Sequence, residues 1–262
     1  MKKYFKIYWA LLKVNFAYLL AYRSYFYYSM LVTCLWGAFQ IVWMLLLTSK
    51  VTAFRGWTRD ELLLIAANYI FIISIFHLFF SRNFDRFSYM VFKGDLDLIL
   101  VKPVDSQFAV SVWIFNYANF LRGVIGLGAI IYLLHRIGVV ITFPIIINWL
   151  VLVFFSIIMI YSIWLLFSTL IIRYPRLANI NELLYNINGI SRYPPEIIYE
   201  MKNFALLVLV PFTISIAIPT KALFNHLVSS DVSLLIGFSI MFFLLARIAW
   251  KFSLRYYTSS SS

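Results

Sequence analysis

The chain alternates long apolar runs with short charged intervals. Phe26 to Thr48 contains no charged residue, and Leu62 to Phe80 is interrupted only by His77. Three further runs follow: about Gly123 to Thr142, with His135 and Arg136 near one end; Ile145 to Ile172, preceded by Pro144; and about Val232 to Arg247, continuing to Trp250. A helix rises about 1.5 Å per residue, so roughly 20 apolar residues cover the hydrocarbon layer of a bilayer. Each run meets or nearly meets that length, and Pro144 suits a first helical turn. The pattern predicts an all-α polytopic membrane protein forming a single transmembrane domain over 1–262.

Between Arg173 and Asp231 two segments compete for a sixth span. Phe204 to Ile218 is short and interrupted by Pro211; Leu177 to Ser191 is polar, carrying Asn179, Asn181, Glu182, Asn186 and Asn188. Either choice gives six spans and places both termini on one side. If the polar segment crosses, it must face protein rather than lipid. The stretch around Pro211 and Pro219 would then dip into the opposite leaflet and return, a break tolerated where protein covers the backbone.

The first 23 residues are too charged to span. At 100° per residue, Lys2, Lys3, Lys6 and Lys13 share one arc, while Phe5, Tyr8, Trp9, Leu12, Phe16 and Leu19 occupy another. Residues 1–23 therefore read as an amphipathic interfacial helix with its lysines towards anionic headgroups. The plainer alternative is an extension of the first span. No cleavable leader is evident, because lysines interrupt the apolar stretch.

Composition agrees with this pattern. Apolar residues make up 63% of the chain and charged residues 12%, about half the charged share of a soluble protein. The net charge of +12 points to topology and anionic lipid rather than nucleic acid, because the basic residues sit between apolar runs. Lys2, Lys3, Lys6, Lys13, Arg23, Arg82, Arg86, Lys93, Lys102, Arg122, Arg173, Arg176, Arg247, Lys251 and Arg255 fall on one face under six spans. Lys50, Arg55, Arg59, Arg136 and Lys221 fall on the other, with Arg192 and Lys202 if the polar segment crosses. The majority face is expected to be cytoplasmic, with both termini on it and the protein in the plasma membrane.

Catalytic patterns are missing. No Gly-Lys-Ser or Gly-Lys-Thr closes a glycine-rich loop, so no ATP site is expected in this chain. Gly123, Gly126 and Gly128 lie in an apolar run and are expected to serve close helix packing. His77, His135 and His226 lack ligand spacing, so no metal site is expected, and Cys34, the single cysteine, reads as a buried thiol. Spans almost free of carboxylates argue against an ion-driven carrier. Energy for any transport would come from a partner. An intramembrane transferase or a non-transporting anchor or sensor are the alternatives; the first would need a catalytic polar cluster.

The segment 81–108 is the most informative. It mixes four basic and four acidic residues with Phe84, Phe87, Tyr89, Met90, Val91, Phe92, Leu96, Leu98, Ile99 and Leu100. Gly94 suits a chain reversal, Asp95 a helix cap, and Pro103 a terminator. Such a stub fits a groove on a soluble partner; packing only on its own protein is equally open.

Three features together resemble the permease subunits of bacterial type-2 ATP-binding-cassette exporters. They are the amphipathic N-terminus, the segment Gly94 to Pro103 (GDLDLILVKP), and Arg192 to Tyr199 (RYPPEIIY) followed by Val210 to Leu223 (VPFTISIAIPTKAL). The resemblance covers essentially the whole chain and implies a separate cytosolic ATPase that binds the ATP, with no cofactor in this chain. It implies a second permease subunit, identical or paralogous. It implies coupling through the 81–108 loop, with contacts at Asp85, Arg86, Phe92, Lys93, Gly94, Asp95, Asp97 and Leu98. It favours the polar segment as fifth span, an outer re-entrant hairpin over 194–225 broken at Pro211 and Pro219, and a pathway or dimer seam at Asn181, Glu182, Asn186 and Asn188. Asn179 to Asn188 is more polar than that family pattern.

Overall fold

A computed structural model of the chain describes residues 2–50, 53–177, 179–197, 206–224 and 226–257. Helix α1 (Lys2–Ala21) is separated from α2 (Arg23–Leu47) at Tyr22, where φ −114° and ψ 54° leave the helical region. A minimal antiparallel hairpin, β1 (Ala53–Phe54) and β2 (Trp57–Thr58), pairs Ala53 with Thr58. Thr58 and Glu61 then form a reciprocal capping box that starts α3 (Arg59–Phe76). One π-helical turn, His77–Ser81, joins α3 to α4 (Arg82–Lys93). The composite runs 35 residues without a break, a rod of about 52 Å.

Beyond it come α5 (Asp97–Leu100), α6 (Ser106–Ser111), α7 (Ala118–Ile137) and α8 (Phe143–Arg173), whose proline stands in the first turn. Next are α9 (Ile180–Asn188), two 3-10 turns at Gly189–Arg192 and Pro195–Ile197, α10 (Leu206–Leu223) and α11 (Ser229–Ser253). Among the described residues, five helical segments are long and apolar enough to cross a membrane: α2, α3–α4, α7, α8 and α11 with its final turn.

Contacts along α3–α4 fix the direction of each neighbour. Arg136 at the end of α7 pairs with Asp60 at 3.2 Å, so α7 runs antiparallel to the rod. Arg247 and Trp250 in α11 reach Asp105 and Ser106 beside the rod's C-terminal end. Both ends of the described chain meet there: Lys3 Nζ donates to the Pro103 carbonyl at 2.6 Å, and the Tyr257 hydroxyl to that of Gly94 at 3.3 Å. This end is called the stub end below.

The segment 180–197 traverses the bundle as a broken helix. Asn181 meets Asp85, Tyr185 stacks on His77, Arg192 lies over Tyr69, and Glu196 accepts from Trp57 Nε1. Those four partners run from Asp85 in the first turn of α4 to Trp57 just before α3. The polar segment thus lies alongside the rod from the first turn of α4 back to the start of α3, but as an α-helix and two 3-10 turns rather than one continuous helix.

Three expectations need correction. Helix α7 begins at Ala118, five residues before the apolar run, so Arg122 lies in the helix and is buried rather than in a loop. Arg192 likewise points into the bundle. Pro211 and Pro219 both sit inside α10 and neither ends it. This helix is sheathed by protein from Leu209 to Thr220, Thr213 and Thr220 donate to carbonyls one turn back, and Asn68 Nδ2 donates to the Ile216 carbonyl. Covered backbone of that kind tolerates proline. The limb 198–205 of the expected hairpin lies outside the described residues.

Candidate functional site

Two regions hold the residues of interest: the stub, and the polar face between α9 and the rod. The stub is built by a helix that has to stop. Gly94 at the end of α4 takes φ 80°, a left-handed conformation costly to residues with a side chain. Its N–H bonds the Val91 carbonyl, and the Asp95 N–H bonds that of Met90, closing the helix end. The chain then folds back as α5 and α6. Phe84, Phe87, Leu96 and Ile99 are buried and anchor this fold, with Phe87 against Trp250 at 5.4 Å.

Asp105 caps α6 by accepting from Phe108 N at 3.1 Å, and it receives both terminal nitrogens of Arg247. The guanidinium holds this carboxyl below the usual carboxylate range. Gln107 and Ser111 of α6 both bond the Tyr161 hydroxyl of α8, at 3.1 and 2.7 Å. The stub is therefore fastened to α1, α8 and α11 at once.

What remains uncovered is its tip. Tyr89, Phe92, Leu98 and Val101 are all more than half exposed, beside exposed Lys93 and Asp95 and half-buried Asp97. Four apolar side chains and two carboxylates project together at the end of the stub. Tyr257 bonds Asp97 from one side and Lys93 lies over the Tyr89 ring at 5.3 Å, while the apolar side chains stay mostly exposed. Asp85 and Arg86 do not belong to that tip. Asp85 accepts from Asn181 Nδ2 at 3.3 Å and from the Tyr185 hydroxyl at 3.0 Å, and Arg86 lies over Trp113 at 5.1 Å. Both are engaged by side chains of their own protein, although Asp85 stays exposed.

The α9 face divides in two. Asn181 and Asn188 are buried; Asn181 bridges Asp85, Ser88 and Ser168, and Asn188 accepts from Ser191 at 3.4 Å. Glu182, Leu183 and Asn186 point outward and are exposed. The sequence groups Asn181, Glu182, Asn186 and Asn188 as one polar face; the helix puts Asn181 and Asn188 on its buried side and Glu182 and Asn186 on its exposed side.

Other buried polar groups escape a reading by apolar runs. Arg122 donates to Gln40 Oε1 at 2.8 Å between α7 and α2. Asn68 accepts from Trp149 Nε1 and donates to Thr220 Oγ1, tying α3, α8 and α10 together. Gly126 is packed so closely that an added Cβ would stand 2.8 Å from the Phe71 nitrogen, whereas Gly128 faces open space. Of the three glycines, Gly126 is the one close packing requires. Among the described residues no cluster of metal-ligating side chains occurs.

The fold and its sites define a multi-pass α-helical membrane protein with an exposed projection at one end and no nucleotide-binding motif in its sequence. A family model described as ABC-2 family transporter protein matches residues 34–261. The chain belongs to that family: it is a permease component of an ATP-binding-cassette transporter, a membrane component without the ATPase domain, and it works with an ATPase subunit. Comparison with curated proteins and with solved structures yields no match.

Proposed function

We propose that the chain is the permease subunit of an exporter that carries an amphipathic substrate (a peptide, drug or lipid-like molecule) across the plasma membrane. A cytosolic ATPase docks on the tip formed by Phe92, Lys93, Gly94, Asp95, Asp97 and Leu98. The stub end is the cytoplasmic one, as the excess of Lys and Arg there supports. Both termini lie on that side, with α1 as the amphipathic interfacial helix. The hairpin over 194–225 faces outward, with α10 as its returning limb. A second permease, identical or paralogous, packs on the exposed Glu182–Asn186 face.

The exposed tip is the observation that carries this reading. An apolar surface with a charged rim, held at the end of a 35-residue rod, is suited to receive force. ATP-driven closure of the partner moves the tip, and the rod carries that motion past α7 and α9 into the bundle, biasing it between two arrangements. This chain supplies the contact and the lipid-embedded path, while ATP stays on the partner.

The test reverses charge at the tip. Asp95→Lys with Asp97→Lys, co-expressed with the ATPase, is expected to lower substrate-dependent ATP hydrolysis at least tenfold, consistent with the cost of placing like or unpaired charges in a docking contact. Membrane insertion should be unchanged. Asp95 is exposed and Asp97 only half-buried in the first turn of α5, so the melting temperature should fall by no more than a few degrees, far less than the loss of coupling. Full coupling in that variant removes the tip from the docking surface.

A further inference from the structure

A cavity of about 640 Å³ lies between α1, the start of α2, the first turn of α4 and the 113–118 segment. It falls in the size range of small-ligand sites. Its walls are aromatic: Tyr18, Tyr22, Tyr25, Phe26, Trp113 and Phe115. Arg82 and Arg86 also line it, and no carboxylate does. The Arg82 guanidinium donates to the Tyr25 hydroxyl at 3.1 Å and lies over its ring; Arg86 lies over Trp113, which Lys102 approaches from 3.9 Å. Among the described residues neither arginine makes an ion pair, and each has donors left over, since a guanidinium carries five.

The cavity is held open by specific bonds. Asn15 Nδ2 donates to the Trp113 carbonyl at 3.0 Å, Asn15 Oδ1 accepts from Phe115 N, and the Tyr117 hydroxyl donates to the Leu12 carbonyl. These tie α1 to the 113–117 segment while the break at Tyr22 sets α1 apart from α2. Asp85 lies near Arg82 but outside the lining. Two guanidiniums facing a carboxylate-free, largely apolar wall at the stub end of the spans match one class of molecule: an anion with a long apolar body. Phosphate suits paired guanidiniums because it accepts two parallel hydrogen bonds.

We propose that this cavity binds a net-anionic phospholipid, with the phosphate on Arg82 and Arg86 and an acyl chain along the aromatic wall. The proposal needs only the bundle's place in a membrane; it stands or falls independently of ATPase docking and of the exported substrate.

Native mass spectrometry of the delipidated full chain in detergent tests it, with phosphatidylglycerol, phosphatidylcholine and inorganic phosphate as probes. Wild type should retain one phosphatidylglycerol at least tenfold more tightly than phosphatidylcholine, and millimolar phosphate should not displace it. Arg82→Gln with Arg86→Gln should lose at least tenfold in affinity, while Lys251→Gln with Arg255→Gln, an equal loss of charge at exposed positions, should not. Unchanged retention in the first variant, equal retention of the two lipids, or displacement by phosphate alone each overturns the proposal. If the first variant does not fold, photo-crosslinking of chain-labelled phosphatidylglycerol to wild type decides. Labels on α1 and on residues 113–117 support the site, and labels confined to other helices refute it.

Discussion

Asp105 does two jobs with one carboxylate, and they can be separated chemically. It caps α6 through Phe108 N and pairs with both terminal nitrogens of Arg247 on α11. Asparagine is as good a cap as aspartate, so Asp105→Asn removes the charge and spares the cap. Two charge-assisted bonds at a partly exposed position are worth about 1–2 kcal/mol. Thermal melts in detergent at neutral pH should show the variant less stable by that amount. The pH dependence has a definite sign. The carboxyl is held below its ordinary value by Arg247, so the folded state binds its proton less readily than the unfolded chain. The stabilisation is complete above the ordinary aspartate value of about 3.9 and is lost as pH falls through the lower folded value. The gap between wild type and variant should stay constant from near-neutral pH down to about pH 5 and close in stronger acid. A gap that persists unchanged at the acid end would show that Arg247 is not the partner that matters.

At the scale of elements, the long apolar runs were legible because lipid leaves a helix no alternative way to satisfy its backbone. α8 and α11 contain the corresponding runs, α2 holds all of its run but Thr48, and the second run fills α3 and continues into the π-helical turn. The ends were less legible. Arg122 reads as a loop residue by charge alone, yet Gln40 from α2 supplies its acceptor, and that partner is 82 positions away in the chain. The rod also extends beyond its apolar run. α4 is amphipathic, and Phe84, Phe87 and Met90 bury its inner face while Tyr89 and Phe92 stay out. Prolines in α10 looked like breaks because sequence does not reveal how completely neighbours enclose a helix. The reversal at Gly94, by contrast, was visible from its residue type and carries a prediction. Gly94→Val forces a β-branched side chain into the left-handed region, costing roughly 1–2 kcal/mol. The stub tip should shift while the bundle remains, so a modest fall in melting temperature should accompany a large loss of substrate-dependent ATP hydrolysis. Equal, proportionate losses in both would mean that Gly94 serves stability alone.

At the scale of the whole molecule, the surface that does not fit a lipid environment marks where another protein belongs. α2, α7 and α8 expose apolar side chains such as Leu35, Trp36, Tyr132, Leu150 and Phe154, as lipid-facing helices should. α9 instead exposes Glu182 and Asn186 beside α3–α4, where an uncovered carboxylate and amide in hydrocarbon would cost several kcal/mol. A second permease on this face would cover them, and a two-fold pairing would bring the same residues of two copies together. Cys34 is the single cysteine, so Cys34→Ser gives a clean background for Asn186→Cys. Mild oxidation in native membranes should then produce a disulfide-linked species on a non-reducing gel. Leu150→Cys, placed on the lipid face of α8, should stay monomeric. A shifted band of the dimer's mass identifies two copies of this chain. If Asn186→Cys stays monomeric with the copper oxidant while its thiol still reacts with a water-soluble maleimide, that face is open to water and the seam lies elsewhere on the bundle.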